Sequence, residues 1–285
     1  MEHQLWKKIV AVMKAVAKPR NRARCAFTNE AIVLVWFWSV VHDRPVSWAC
    51  KRCNWPIHLR KKKLPSSSTM SRRLRSEAVK TLVYTIEEET VRKQKQPSCY
   101  WMIDGKPLVV SAISKDRQAG YGRAARGKAK GYKLHAIVST DGCYAAWRIA
   151  PMNKDERVMA RRLVREGQIE GYLVGDGNYD SNPLHKVCGE QANLQLVTPP
   201  RGGCGKTKRR KRQSPGRERS LELQENPNPD FASQLLLDRN EIERQFGKLT
   251  SWGGGLTHLP PWARTHRRVF RWVQAKLILN SLKRR

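Results

Sequence analysis

The chain has 285 residues, of which 56 are Lys or Arg and 24 are Asp or Glu, for a formal net charge of +32. A hydrophobic fraction of 40% with ten tryptophans excludes a wholly disordered polymer, and the length allows a buried core in one large domain or two unequal ones. So large an excess of cations, spread along the chain and interleaved with aromatics, points to a polyanionic partner, nucleic acid first of all.

Taken in chain order, the first residues, MEHQLWKKIV, lack the basic-then-apolar layout of a secretory signal, so a cytoplasmic protein is expected. The longest apolar run, Ala31 to Val41, has about half of the ~20 residues that cross a bilayer and is read as a buried helix, with no membrane partner. Seven cysteines with no framework spacing fit a reducing compartment. Cys50 and Cys53 form a lone CxxC, read as two ordinary thiols because a zinc site needs a second pair nearby.

The stretch "LPSSSTMSRRLRSEAV" follows, in which a Ser/Thr cluster caps a helix carrying Arg72, Arg73 and Arg75. It resembles the turn and recognition helix of a helix-turn-helix. DNA contact and a basic solvent face are equally open readings of those arginines. The region 1–95 is expected to be a helical DNA-binding part.

After "VRKQKQPSCY" the period changes from that of helices to that of strands. "CYWMIDG" reads as a buried strand ending at Asp104, "PLVVSAIS" as a second strand, and the Arg/Gly-rich 116–131 as a loop. "YKLHAIVSTDGCYAAWRIAP" reads as a hairpin about Asp141-Gly142, and "NKDERVMARRLVREG" as an amphipathic helix with acids early and arginines late. "YLVGD" is a short strand ending at Asp176, followed by a helix from about Asn182 with Asp180 as its cap, and then the strand "LQLVT". Residues 199–230 read as an aperiodic basic insertion. Helical spacing resumes in "FASQLLLDRNEIERQFGKLTSW", with Leu235, Ile242, Phe246 and Leu249 on one stripe, and a last basic helix spans about 263–282.

This order predicts an α/β fold, a mixed sheet flanked by helices, over 96–285. Neighbouring strands would bring Asp104 and Asp176 to one sheet end, with a third acid from the helix beyond the insertion. Clustered carboxylates repel unless protonated or holding cations, and hard oxygen ligands in a DNA-binding chain suit Mg²⁺. Read singly, Asp104-Gly105 and Asp176-Gly177 are also common turn pairs after strands. Glu241 and Glu243 flank the Ile242/Phe246 stripe at similar angles, so periodicity barely separates them. Trp252, Trp262 and Trp272 read as core first and as stacking faces for DNA second.

"MIDG", "YLVGDGNYDSN" and "RNEIERQFGKL" resemble the three catalytic segments of bacterial insertion-sequence transposases of the DDE class, over roughly residues 99 to 285. The resemblance implies an RNase H-like catalytic domain in which Asp104, Asp176 and Glu243 hold two Mg²⁺ ions, with Mn²⁺ able to substitute. It implies cutting of transposon-end DNA and joining of the 3′-hydroxyl to target DNA, by a homo-oligomer associated with the bacterial nucleoid. Arg239, Arg244 and Lys248 join Arg72, Arg73 and Arg75 as expected DNA contacts. Many relatives carry a Tyr three residues before that first Arg and a Lys seven after the Glu, where this chain has Leu236 and Thr250. A nuclease of the same fold and a non-catalytic DNA-binding protein remain open alternatives.

If the arginine-bearing helix meets DNA, Arg72→Ala with Arg73→Ala weakens binding and lowers the slope of log K against log[salt] by about 2. Titration at several NaCl concentrations measures this, and equal slopes would remove both residues from the interface.

Overall fold

In a computed structural model the described residues are 2–16, 26–92, 98–110, 113–190, 193–200, 213–225, 230–249 and 259–284. The basic run that begins at 206, together with Thr250 and Trp252, lies outside them, apart from Gln213 at the end of that run. The chain forms two compact units, Met1–Gln94 with Leu249–Arg285, and Lys95–Lys248.

The first unit is helical. It begins with α1 (Glu2–Val16), α2 (Asn29–Val41), the short α3 (Val46–Ala49), α4 (Ser67–Arg73) and α5 (Glu77–Glu87). Helix α2 is capped by Thr28, whose side chain accepts from the Ala31 N–H. It is buried nearly all round, as its unbroken apolar run predicts: Ile32, Val33, Val35, Phe37 and Val40 have no exposed surface. Helix α4 starts where the Ser/Thr cluster predicts, with the Ser66 hydroxyl accepting from the Thr69 N–H at 3.2 Å. Cys50 donates its thiol to the Val46 carbonyl at 3.2 Å, one helical turn back, while Cys53 is exposed.

The second unit is built on a sheet. Strand β1 (Tyr100–Val109) is followed by β2 (Gly120–Ala124), β3 (Gly127–Ser139) and β4 (Tyr144–Pro151), then α6 (Glu156–Gly167), β5 (Gly171–Val174), α7 (Asn182–Glu190) and β6 (Leu194–Val197). The remaining helices are α8 (Pro215–Glu225), α9 (Asp230–Asp238) and α10 (Glu241–Lys248). The sheet runs β2-β3-β1-β5-β6 with β4 also on β3. Strands β1, β3 and β4 pair antiparallel, and β5 and β6 extend the sheet in parallel with β1. This is the expected RNase H-like arrangement, a mixed sheet flanked by helices. One face packs Trp101, Ile103 and Ile137 against Leu163 and Val164 of α6 and Leu184 and Val187 of α7. Val174 and Val197 meet Leu235 of α9 in a separate, smaller cluster, flanked by Leu223 of α8.

Four sequence expectations are corrected here. Strand β1 does not end at Asp104 but continues to Val109, because β3 pairs with its whole length while β5 pairs only as far as Met102. Pro107 sits in the stretch with no β5 partner, where a missing N–H does no harm. The Arg/Gly-rich "loop" contains β2, which pairs with the start of β3 across a turn in which Gly127 takes φ +103°. Its glycines hide the strand period yet permit close approach, since a Cβ at Gly122 would lie 2.6 Å from the Met152 carbonyl oxygen. The 199–230 insertion contains α8, held to β6 by Gln195 donating to the Gly216 carbonyl at 2.7 Å and Gln224 to the Thr198 carbonyl at 3.0 Å. Finally, the single helix expected over 231–252 is two, broken at Arg239-Asn240, where the polar Asp-Arg-Asn run favours a turn.

The last helix, α11 (His266–Arg284), belongs to the first unit, packed on α1, α2 and α5. From Val269 to Leu282 it buries residues on every side, among them Val273, Ala275, Leu277 and Ile278 with no exposed surface, so it needs cover all round. Trp272 is core, and its indole N–H donates to Asp43. Lys276 is 2% exposed and pairs with Asp43 at 2.7 Å. Burial pulls the pKa of both groups toward neutrality, and their pairing opposes that pull. No described helix is long and apolar enough to cross a membrane.

Asp43→Ala would leave the Lys276 ammonium buried without its carboxylate and is expected to cost about 3–5 kcal/mol. Urea unfolding followed by tryptophan fluorescence measures it, and a loss below about 1 kcal/mol would show that the pair contributes little.

Candidate active site at the end of the parallel strands

The parallel register of β1 and β5 ends at Met102 opposite Val174. Asp104 and Asp176 each lie two residues beyond that last pair, so both acids stand at the same level on adjacent chains. Asp104 remains inside β1, opposite Ala136 of β3, so the Asp-Gly turn reading is wrong for it. Its Oδ1 accepts from the Gly105 N–H at 2.7 Å. Asp176, at the end of β5, caps a 3-10 turn, Gly177–Tyr179, accepting from the Asn178 N–H at 2.9 Å and its side-chain amide at 3.1 Å. Gly175 permits this approach, since a Cβ there would stand 3.0 Å from the Tyr179 ring and 3.1 Å from Ile103.

Helix α10 carries Glu241 and Glu243, the two candidates for a third acid. Ile242 and Phe246 bury its inner face, and the Gln245 amide donates to the Thr140 carbonyl at 3.0 Å. The two glutamates that periodicity leaves tied now differ. Glu241 is engaged by Arg244 at 3.1 Å, by the Gln245 amide at 2.8 Å and by Lys248 at 3.4 Å. Glu243 is exposed and adds its negative charge to the field at Asp104.

Asp104 responds to its surroundings. Burial, and then the charges of Asp176, Glu156 and Glu243, push its carboxyl up to about 6 against the pull of the Gly105 N–H. Among the described residues, Asp104, Asp176 and Glu243 form no ion pair with any Lys or Arg. In donor chemistry these carboxylates fit a divalent cation, being hard oxygens. Among the described residues, however, no three His, Cys, Asp or Glu groups stand close enough together to hold an ion.

Two neighbours of the site escape a reading of the sequence. Glu156, the first residue of α6, is ion-paired with Lys133 of β3. The Lys133 stem crosses Gly105, where a Cβ would lie 2.7 Å from its Cδ, so the glycine after Asp104 serves this passage. In the sequence Glu156 looks like any acid placed at a helix start to suit the dipole, and only its proximity to Asp104 distinguishes it. Arg217 of α8 grips Asp180 with two hydrogen bonds of 2.7 Å in a buried pair, with His185 Nε2 at 3.4 Å from the same carboxylate. The 3-10 turn between Asp176 and Asp180 is thus tied to α8. Tyr179 is buried, and burial plus the charges of Asp104, Glu156 and Asp176 raise its phenol well above the ordinary value, so it stays protonated. His135 is pushed down to about 4 by burial and by Lys133, so it is neutral at pH 7.

The expected DNA contacts are distributed differently. Arg72 and Arg75 are exposed, whereas Arg73 is half-buried and donates to Asn29 Oδ1 at 2.6 Å. Arg239 lies in the turn between α9 and α10, so it does not precede Glu243 on a continuous helix. Arg244 and Lys248 both meet Glu241.

The sheet and its flanking helices define this unit as RNase H-like. Residues 95–278, more than half of the chain, match the transposase DDE domain family, and the chain belongs to that family, one of nucleic-acid-modifying enzymes. No curated protein and no solved structure matches the chain.

The raised carboxyl of Asp104 makes stability pH-dependent. The folded state holds this proton up to about pH 6, whereas the unfolded chain releases it near 3.8, so its contribution is full below that value and is lost as pH rises through 6. Asp104→Asn removes the buried charge. In EDTA it is expected to be more stable than the parent at pH 8 by about 1–3 kcal/mol, with the gain gone near pH 4. Equal stabilities at both pH values would show that the carboxylate is not destabilised by its site.

Proposed function

We propose that the chain is a DDE transposase that cuts transposon-end DNA and joins the freed 3′-hydroxyl to target DNA by metal-dependent phosphoryl transfer. The observation that carries this reading is the set of carboxylates, Asp104, Asp176 and Glu243, that share one electrostatic neighbourhood and pair with no cation among the described residues of a chain with charge +32. Buried or crowded carboxylates are costly, and a site that keeps them unpaired is suited to a cation that arrives with substrate.

On this reading Asp104, Asp176 and Glu243 would hold two Mg²⁺ ions, or Mn²⁺ in their place. Ions held there would supply Lewis-acid activation of an attacking oxygen and charge stabilisation of a leaving one. The chain's own residues do the remaining work. Asn178 orients the Asp176 carboxylate through two hydrogen bonds, and the Arg217–Asp180 pair holds the turn that bears it. Lys133 neutralises Glu156 and so limits the negative charge crowding Asp104. Arg72, Arg73, Arg75 and Arg239 supply positive charge to the DNA backbone, joined by Arg244 and Lys248. The pairs that the last two make with Glu241 are exposed, and such pairs are worth about 0–1 kcal/mol, so phosphate competes with them readily. Action on two transposon ends calls for a homo-oligomer on the DNA.

The test is a strand-transfer assay with labelled ends in Mg²⁺, comparing the parent chain with Asp176→Asn. The variant is expected to lose joined product by at least about a hundredfold while retaining DNA affinity. Cutting without joining by the parent would favour a nuclease, and tight binding with unchanged DNA would favour a non-catalytic binder.

A further inference from the structure

A second binding feature lies within the helical unit. Between α5 and α11 there is a cleft of about 350 Å³, with Val79, Val83 and Phe270 along its floor and Arg75, Arg267 and Arg271 at its rim. Among the described residues no acidic side chain lines it. Lys80, also at the rim, pairs with Glu77 at 2.7 Å, and the Glu87 carboxylate behind the cleft is engaged by Gln274 and Arg92.

The rim arginines are held in place. Arg75 donates to the Ser71 carbonyl and hydroxyl, each at 2.9 Å, and Arg271 donates to the Leu74 carbonyl at 3.0 Å. Arg267 and Arg271 stand one turn apart on α11. Holding like charges together is unfavourable, and burial together with Arg268, Arg75 and Arg267 lowers the affinity of Arg271 for its own proton. An anion between them removes that penalty, and guanidinium forks match the geometry of phosphate. The floor adds a second requirement, because a phosphate alone has no use for apolar surface. Tyr84, which also lines the cleft, is 50% exposed.

We propose that this cleft seats one unpaired nucleotide of a DNA strand, its phosphate on Arg75, Arg267 and Arg271 and its base and sugar against Tyr84 and Phe270. A paired base stays in its stack and offers the floor nothing, whereas an unpaired base presents a π-face to an aromatic ring. The assignment rests on the reading of the chain as a DNA-processing transposase, and it adds a single-strand site outside the carboxylate cluster.

The experiment measures binding of the full chain to a fluorescent single-stranded oligonucleotide and to its duplex, in EDTA so that no chemistry intervenes, across a range of NaCl. Tyr84→Ser is expected to weaken single-strand binding roughly tenfold while leaving duplex binding unchanged. Arg75→Ala with Arg267→Ala is expected to lower the single-strand salt slope by about 1 to 2. All three side chains are exposed, and thermal melts confirm that the variants fold. Parent-like single-strand affinity in Tyr84→Ser, or an unchanged slope in the arginine variant, overturns the assignment. If the parent binds neither form of DNA, the transposase reading falls as well. If the variants behave as expected but the parent never joins strands, the cleft stands and the catalytic reading alone fails.

Discussion

The site depends on where β5 stops pairing with β1. Parallel strands carry their side chains in step, so two acids each placed two residues past the last pair come to the same level without any loop having to bring them there. Because β1 continues along β3 after β5 has ended, Asp104 is held by a strand on one side and faces the vacated edge on the other. A rigid strand fixes one carboxylate, and a capped turn fixes the next. A buried acid among other acids is an unfavourable arrangement for the fold by itself, and it persists because strand pairing and core packing around it stabilise the fold by far more than the repulsion costs.

The pairing of charges shows which acids the fold uses for itself. Glu156 has Lys133, Asp180 has Arg217, and Glu241 has Arg244 and Lys248. Surface acids such as Glu170 and Glu222 also lack a cation among the described residues, but they have water, whereas Asp104 is largely buried among other acids. Asp104, Asp176 and Glu243 have no ion pair among the described residues, and the charges of Asp176 and Glu243 contribute to the raised pKa of Asp104. The paired acids surround the unpaired ones, so cations lie close to the site yet are already engaged. In the helical unit the converse holds: arginines crowd a cleft that no acid among the described residues lines.

Much of the framework was readable because local periodicity carries it. The buried helix α2, the hairpin about Asp141-Gly142, the amphipathic α6 and the burial of Ile242 and Phe246 on α10 all follow from residue spacing. The failures also have physical causes. Glycine and arginine mask the strand period of β2, whose partner is supplied by β3. Helix α8 lies in a polar segment with a weak apolar stripe, and its hold on β6 runs largely through glutamine amides. Helical angle does not encode that Glu241 has Arg244 and Lys248 beside it.

The sequence by itself determined the alternation of strands and helices, the excess of positive charge, and the acidic segments that resemble those of DDE transposases. It could do so because periodicity, net charge and short motifs are properties of neighbouring residues. Tertiary structure alone decided that β1 runs on past Asp104, that α11 joins the N-terminal helices, and that Glu156 and Arg217 border the acids. Those outcomes depend on which distant segments satisfy one another's backbone, apolar surface and charge, and such complementarity exists only once the chain has folded.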